Sequence, residues 1–163
     1  RGIFAKGTCK MEIERKFLVV DDSYKQLAIN HYTIVQGYIC RESGRTVRVR
    51  LKSDSNGIAK AFLTIKGKPT EGALGRFEWE KEIDWVEGQE LLKLCQGNII
   101  DKTRWVVPAL EKGLYWEVDE FHGHKEGLTL AEIELIAEDQ SFVLPNFIGK
   151  EVTGDRQYYN SNM

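Results

Sequence analysis

The stretch Glu12-Ile13-Glu14-Arg15-Lys16-Phe17 decides how the rest of the chain is interpreted. Side chains of a β-strand alternate between two faces, so Glu12, Glu14 and Lys16 share one face. A dry face would not tolerate these charges, because burying an unpaired charge costs roughly several kcal/mol. The same face suits a divalent cation held by carboxylate oxygens beside a phosphate held by the lysine. An exposed edge strand would show the same pattern, so the other strands must decide between the two interpretations.

The composition limits the kinds of function that this chain can serve. Its 163 residues suffice for one domain with a substantial core. Charged residues make up 29% of the chain, but the net charge is only −2, which predicts no broad attraction to nucleic acids or membranes. No apolar run is long enough to span a membrane. Three cysteines without metal-binding spacing favour a reducing, cytoplasmic compartment over a disulfide-bonded fold.

The chain is interpreted as one domain with a short extension in front of it. Residues 1–10 carry no pattern and precede Met11, which is typical of an upstream or expression-derived extension. Residues 11–163 contain no internal repeat, low-complexity segment or linker. They are therefore predicted to form a single domain.

Alternating segments predict eight β-strands, at residues 12–20, 32–40, 46–51, 59–68, 76–83, 101–107, 114–121 and 128–137. Leucines at helical spacing predict a helix over 87–96, and a shorter helix is expected at 24–28. A glycine- and proline-containing loop is expected at 69–75, and short turns or a terminal helix after Ser141. Sequential strands with short connections favour an antiparallel barrel or sandwich.

Charged residues occupy one alternating face of these strands, and apolar residues occupy the other. In an ordinary sandwich the charged face would simply meet water. Here acids and bases are segregated by strand, as in the pair Glu132 and Glu134 and the pair Arg48 and Arg50. Eight strands suffice to close a barrel, and the amphipathic helix needs an apolar surface to cover. We therefore expect a closed eight-stranded antiparallel barrel with helices packed outside and a polar tunnel inside.

A tunnel lined by charges of both signs is tolerable only if it is wet and the charges are compensated. A ligand that matches both a cluster of carboxylates and many lysines and arginines is a polyphosphate with a divalent metal, since the carboxylates bind the metal and the bases bind the phosphates. This combination suits phosphoryl transfer, in which catalysis consists mostly of positioning and charge stabilisation.

Nine short motifs follow one another from Met11 nearly to the C-terminus: Glu12-x-Glu14-x-Lys16, Gln36-Gly37-Tyr38, Arg48-x-Arg50, Thr64-Ile65-Lys66, Arg76-x-Glu78-x-Glu80, Lys102-Thr103-Arg104, Glu117-x-Asp119, Glu132-x-Glu134 and Glu151-Val152-Thr153. In this order they resemble the CYTH superfamily, the triphosphate tunnel metalloenzymes, and a short bacterial-type member in particular. The opening motif alone is moderately specific, whereas the ordered set is strong. The resemblance implies a mainly β tunnel that binds a triphosphate end-on with Mg²⁺ or Mn²⁺ and has a C-terminal plug segment.

The resemblance also implies roles for individual residues. The metal ligands would be Glu12, Glu14, Glu132 and Glu134, with Glu117 and Asp119 in addition. The phosphate-binding residues would be Lys16, Arg48, Arg50, Lys66, Arg76, Lys102 and Arg104, with Lys150 and Arg156 near the plug, where Tyr159 replaces a basic residue of similar proteins. Glu78 and Glu80 would orient these bases or take part in a second metal site. The candidate catalytic residues are Lys16, Glu14 and Tyr38, although Tyr38 equally suits packing with a hydrogen bond.

The favoured function is the metal-dependent hydrolysis of inorganic tripolyphosphate, since the chain is short and carries no added domain. A class IV-type adenylate cyclase and a thiamine triphosphatase are alternatives. A polyphosphate-binding module without activity would lack the metal ligands, which are present here. An oligonucleotide-binding barrel would place aromatics and bases on one face, whereas here they fall on opposite faces. The expected partner is a small-molecule triphosphate, with no nucleic acid or membrane, and a homodimer is left open.

Overall fold

The structure is a computed structural model that describes residues 7–42, 44–69 and 75–163. Residues 1–6 of the expected extension, Ser43, and residues 70–74 of the expected loop lie outside the described residues. No helix within the described ranges is both long and apolar enough to cross a membrane. The described residues form the strands β1 (Thr8–Val19), β2 (Asn30–Cys40), β3 (Arg45–Ser53), β4 (Ala59–Gly67), β5 (Gly75–Ile83), β6 (Gln96–Pro108), β7 (Tyr115–Phe121), β8 (Thr129–Leu135) and β9 (Ile148–Glu151), the helices α1 (Tyr24–Leu27) and α2 (Trp85–Leu92), and 3₁₀ turns at Gly123–Lys125, Arg156–Tyr158 and Asn160–Asn162.

Eight of these strands close into an antiparallel barrel. Their order is β5-β4-β3-β2-β6-β7-β8-β1, and β5 also pairs with β1. Closure is possible because β1 is long: residues 8–13 pair with β5, and residues 13–18 pair with β8. The predicted closed eight-stranded antiparallel barrel is thereby confirmed.

A ninth strand, β9, was not predicted from the sequence. It pairs with β1 beyond the end of β5, where Phe17 lies opposite Glu151 and Val19 lies opposite Ile148. β9 has only four residues and contains Gly149, so it lacks the alternation by which longer strands are recognised. The guanidinium of Arg15 donates to both carboxylate oxygens of Glu151 and links the two strands on their exposed side.

β1 also begins earlier than expected. Thr8, Cys9 and Lys10 pair with β5, although residues 1–10 were expected to form an extension. The ammonium of Lys10 lies 2.6 Å from the carboxylate of Glu134 on β8. The described end of that segment is therefore part of the barrel wall.

The register of the strands places the charged alternate positions on the inner face of the barrel. Lys16 of β1 lies opposite Glu132 of β8, and Lys66 of β4 lies opposite Glu78 of β5. Residues directly opposite each other in a sheet share one face, so charges from neighbouring strands meet inside.

The largest hydrophobic cluster lies on the outer face of the barrel wall. Phe17 of β1 and Trp116 of β7 are fully buried there and meet edge to face, with ring centroids 5.5 Å apart. Tyr24 of α1 covers this face, together with Phe142 and Phe147 from the segment after β8. The outer face is therefore apolar, as the alternation predicts, whereas the inner face carries the charged residues and also a smaller apolar cluster that includes Tyr38, Ile100 and Phe121.

The helix α2 covers another part of the outer wall and contacts β2, β3 and β4. Its N-terminus is capped by Asp84, whose carboxylate accepts two backbone hydrogen bonds from the first turn. Gly88 lies so close to β4 that a side chain there would clash. The predicted range 87–96 was wrong in its boundaries, because Gln96 pairs with Tyr38 in the sheet and opens β6.

Candidate active site

The inner face of the barrel encloses a polar cavity of about 160 Å³. It is lined by side chains from seven of the strands. Among the described residues, seven cations and three carboxylates line it, an excess of positive charge suited to a polyanion. The predicted site residues that line the cavity are Glu12, Glu14, Lys16, Tyr38, Arg48, Arg50, Lys66, Arg76, Lys102, Arg104 and Glu132.

The other predicted site residues stand behind the cavity or away from it. Glu80, Glu117 and Asp119 contact cavity-lining bases, and Glu78 contacts Glu12. The side chain of Glu134 is 48% exposed and pairs with Lys10. The structure does not bring two further residues to the cavity: Lys150 is exposed in β9 and Arg156 is exposed in a 3₁₀ turn.

Glu12 and Lys66 form a buried ion pair at the cavity wall, with Lys66 Nζ 2.8 Å from Glu12 Oε1. The guanidinium of Arg76 lies 3.7 Å from the same oxygen. Burial pushes the pKa of Glu12 upward, but the charge of Lys66 and the hydrogen bond with Glu78 outweigh it, so the pKa falls below the usual range. Glu12 therefore stays ionised at neutral pH. Burial and the neighbouring Glu12 raise the pKa of Glu78.

Asp119 holds two cations of the cavity from behind. Lys102, which is fully buried, donates to Asp119 Oδ2 at 2.7 Å, and Arg104 donates to both oxygens at 2.7 and 2.8 Å. Such a bidentate arginine contact fixes geometry as well as charge. Burial, aided by Arg104 and Arg50, lowers the pKa of Lys102 to about 7, although Asp119 opposes the shift. Because both of its oxygens are engaged, Asp119 fits a counter-ion better than the expected metal ligand.

Glu14 of β1 and Glu132 of β8 bring two carboxyl groups into hydrogen-bond contact. Burial and the charges of Glu132 and Glu12 raise the pKa of Glu14 to about 8. The ammonium of Lys16 lies 3.2 Å from Glu132. Burial alone would raise the pKa of Glu132, but Lys16 and Arg104 outweigh it and keep the carboxylate ionised.

The pair of Glu14 and Glu132 fits a divalent cation. Glu14 keeps its proton at neutral pH because burial and the charge of Glu132 beside it make a second negative charge unfavourable, and a divalent cation could replace that proton. Carboxylate oxygens are preferred ligands of Mg²⁺ and Mn²⁺. Within the part of the chain that the structure describes, no three Asp, Glu, His or Cys side chains are already grouped as a metal site. The reason is local, since Lys66 holds Glu12 and Lys16 holds Glu132. A cation must therefore compete with these lysines, which phosphate groups would draw away.

The C-terminal tail closes one side of the cavity, as expected of a plug segment. It does so with two 3₁₀ turns and with uncharged groups in place of the expected bases. Lys16 Nζ donates to the carbonyl oxygen of Tyr158 at 3.0 Å, and its ammonium lies 5.8 Å from the ring centroid of Tyr159. The tail residues that line the cavity are Thr153, Gly154, Tyr159, Asn160 and Ser161.

Several polar residues of the site were assigned no role from the sequence. Thr46 and Thr64 line the cavity from the same alternating face as Arg48, so the alternation alone could have identified them. Thr64 Oγ1 accepts from Arg48 at 3.3 Å and donates to Glu80 at 2.7 Å. The tail residues carried no such signal, because they come from an irregular segment.

The environment of Tyr38 supports the packing interpretation. Its side chain is buried in an apolar cluster that includes Ile100 and Phe121, and the guanidinium of Arg41 lies 5.1 Å from its ring centroid. Tyr38 also lines the cavity, while the ammonium of Lys16 is directed at Glu132 and the tail.

Known proteins share both the sequence and the fold. A family model described as the CYTH domain matches residues 10–161. A relative from Acetivibrio thermocellus named inorganic triphosphatase is 45% identical over 153 residues, which cover 93% of this chain and 92% of the relative. One from Nitrosomonas europaea with the same name is 34% identical and covers 91% and 93%. A solved structure of an inorganic triphosphatase matches with a TM-score of 0.60 at 32% identity, covering 93% of this chain and 92% of the other. The chain therefore belongs to the CYTH domain family.

Proposed function

We propose that this chain is a metal-dependent inorganic triphosphatase, which hydrolyses tripolyphosphate to pyrophosphate and phosphate. The observation that carries this proposal is the cavity of about 160 Å³, which seven cations and three carboxylates of the described residues line. The names of two relatives, each matched over more than nine-tenths of its length, support the same activity.

The cations of the cavity bind the phosphate oxygens. Arg48 is buried, and its contacts to Thr64 and Glu80 fix its guanidinium before any phosphate arrives. Asp119 does the same for Lys102 and Arg104. Donors fixed in advance lose little freedom when the substrate binds, and they remain aligned as charge shifts between phosphates in the transition state.

Glu14 and Glu132, with Glu12 beside them, would hold Mg²⁺ or Mn²⁺. When bound, such a cation neutralises charge on the phosphates and makes phosphorus a better target for water. Glu14 is also the candidate base, but its raised pKa of about 8 means that it keeps a proton at neutral pH, so it would act as a base only after a bound cation has displaced that proton. Burial alone would lower the pKa of Lys16, but the neighbouring carboxyl groups, Glu132 above all, outweigh it and raise that pKa. Lys16 therefore stays cationic and would stabilise the leaving phosphate.

A substrate panel tests this proposal. Tripolyphosphate, ATP and thiamine triphosphate are incubated with the protein under Mg²⁺ or Mn²⁺, and with EDTA as the control. We expect phosphate release with the highest kcat/KM for tripolyphosphate, and none in EDTA. Cyclic AMP formed from ATP without phosphate release from tripolyphosphate would overturn the proposal in favour of an adenylate cyclase. Tight binding of tripolyphosphate without hydrolysis would instead indicate a polyphosphate-binding module.

The remaining expectations from the sequence belong to the same proposal. A small-molecule triphosphate is the expected partner, and a cytoplasmic location supplies it together with Mg²⁺. Neither a nucleic acid nor a membrane is needed for this reaction.

A further inference from the structure

The side-chain amides of Gln36 and Asn160 form a chain of hydrogen bonds from the barrel wall to the tail, and their partners fix the orientation of both amides. Arg50 Nε, which can only donate, lies 2.8 Å from Gln36 Oε1, so the amide nitrogen of Gln36 must face the other way. That nitrogen donates to Asn160 Oδ1 at 3.1 Å. Lys102 Nζ donates to the same oxygen of Asn160 at 2.9 Å. The oxygen of Asn160 therefore faces Lys102 and Gln36.

The amide nitrogen of Asn160 is consequently the last group in this chain of hydrogen bonds. Asn160 is half-buried and lines the cavity. Among the residues that the structure describes, its NH₂ group donates no hydrogen bond, whereas its oxygen accepts two. Because two partners hold the oxygen of the Asn160 amide, its NH₂ group can donate to an acceptor in the cavity without a rotation of the side chain.

The tail that carries Asn160 is itself held in place by Arg41. Arg41 Nη1 donates to the carbonyl oxygen of Ser161 at 2.7 Å. Arg41 Nη2 donates to the carbonyl oxygens of Gln96 and Asn98 at the start of β6, both at 3.0 Å. The residue next to Asn160 is thereby tied to the barrel wall.

We propose that Asn160 is a substrate-binding residue whose NH₂ group donates a hydrogen bond to a phosphate oxygen at the tail side of the cavity. Its oxygen is the anchor that fixes this orientation, and its nitrogen is the contact to substrate. Asn160 would add a neutral amide donor to the lysines and arginines that line the cavity. This inference rests on the proposed binding of triphosphate in the cavity.

The test compares Asn160→Ala, Asn160→Asp and Asn162→Asp in steady-state hydrolysis of tripolyphosphate. Asn160→Asp keeps the shape and the acceptor oxygen but replaces the donor by a negative charge. Asn162→Asp is the matched control, since Asn162 lies on the same tail, is exposed, and donates to the backbone of Arg156. We expect KM to rise about tenfold in Asn160→Ala, as for a lost hydrogen bond to a charged group, and at least as much in Asn160→Asp. Asn162→Asp should stay within about twofold of the parent, as is usual for a surface substitution.

Which of the two Asn160 variants has the higher KM distinguishes a substrate contact from a purely positioning role. If Asn160 acted only by accepting from Lys102, Asn160→Asp would be milder than Asn160→Ala, and that order would overturn the inference. Equal KM in the parent and Asn160→Asp would also overturn it. Since Asn160→Asp is isosteric, it preserves the test even if Asn160→Ala does not fold. Arg48→Ala, measured in parallel, identifies failure of the proposed function: if it too leaves KM unchanged, the cavity does not bind the substrate.

Discussion

Lys66 of β4 donates a 2.8 Å hydrogen bond to Glu12 of β1 across the inner face of the barrel, and both side chains line the cavity. Removing two charges from water costs free energy that their attraction recovers only with good geometry, so such a pair is weak evidence for a role in stability. A functional role accounts better for this pair, because each partner can be taken over by a ligand of the opposite charge. Glu12 would then bind the metal, and Lys66 would bind phosphate.

Replacing Glu12 by glutamine tests the metal side of this pair. Glu12→Gln keeps size and hydrogen bonding but removes a charge that would hold a cation. We expect kcat for tripolyphosphate to fall by about two orders of magnitude, the size of loss seen when one electrostatic contact to the transition state is removed. The measurement is the initial rate across a Mg²⁺ and Mn²⁺ titration.

The matched control for this variant is Glu82→Gln. Glu82 occupies the same inner register of β5 but pairs with Lys60 outside the cavity, so its loss should leave the rate nearly unchanged. If Glu12→Gln hydrolyses tripolyphosphate at the parent rate under saturating metal, Glu12 is only a counter-ion to Lys66.

Arg48→Ala tests the phosphate side of the site. In the proposed function Arg48 binds the substrate before and during the reaction, so its loss should raise KM by about tenfold while lowering kcat less. Arg45→Ala on the same strand serves as the control, since Arg45 is exposed and pairs with Glu42. A fall in kcat with an unchanged KM would mean that Arg48 acts only in the transition state.

The raised pKa of Glu14 predicts how stability depends on pH. The folded protein keeps a proton on Glu14 up to about pH 8, whereas the unfolded chain releases it near 4.5. Between these values the folded state binds more protons, so this group makes the protein less stable as pH rises. In EDTA we expect Tm to fall from pH 5 to pH 8, and Glu14→Gln to flatten this slope.

Metal should reverse the effect, because a divalent cation that replaces the proton stabilises the folded state by binding to it. Added Mg²⁺ is therefore expected to raise Tm more at pH 8 than at pH 5 in the parent protein. An identical slope in the parent and Glu14→Gln would show that another group causes the pH dependence.

Loss of the Arg41 contact should release the tail. Arg41→Ala removes the hydrogen bonds to Ser161 and to the start of β6, so we expect faster cleavage of the tail by a protease and a higher KM for tripolyphosphate. Arg156→Ala removes an exposed arginine of the same tail and serves as the control. Parent-like protease resistance of Arg41→Ala would show that the apolar contacts of Met163 and Tyr158 suffice to hold the tail.

The barrel and most of its inner face could be predicted from the sequence, because strand alternation reports directly which side chains share a face. Lys66 and Arg48 were placed inside in this way. The same alternation places Thr64 on the inner face. No role was predicted for it, because the predictions were based on charged residues and its hydroxyl is uncharged. β9 was missed because four residues with a glycine show no period.

The contacts of the tail could not be predicted from any local pattern. Asn160 reaches Lys102 and Gln36 only because the chain returns to the barrel after β9, and this depends on tertiary contacts such as those of Arg41. Lys150 in strand β9 and Arg156 in a 3₁₀ turn were expected at the cavity, but both side chains are exposed. Proximity in sequence to the tail residues that line the cavity does not determine where a side chain points.

The most direct test of the account is a crystal structure of the protein with a non-hydrolysable triphosphate analogue and Mn²⁺, whose position is read from anomalous scattering. We expect the phosphates inside the barrel, in contact with Arg48, Lys66 and Lys102, and the Mn²⁺ signal at Glu14 and Glu132. An analogue bound on the outer surface, with no phosphate or Mn²⁺ density inside the barrel, would contradict the account.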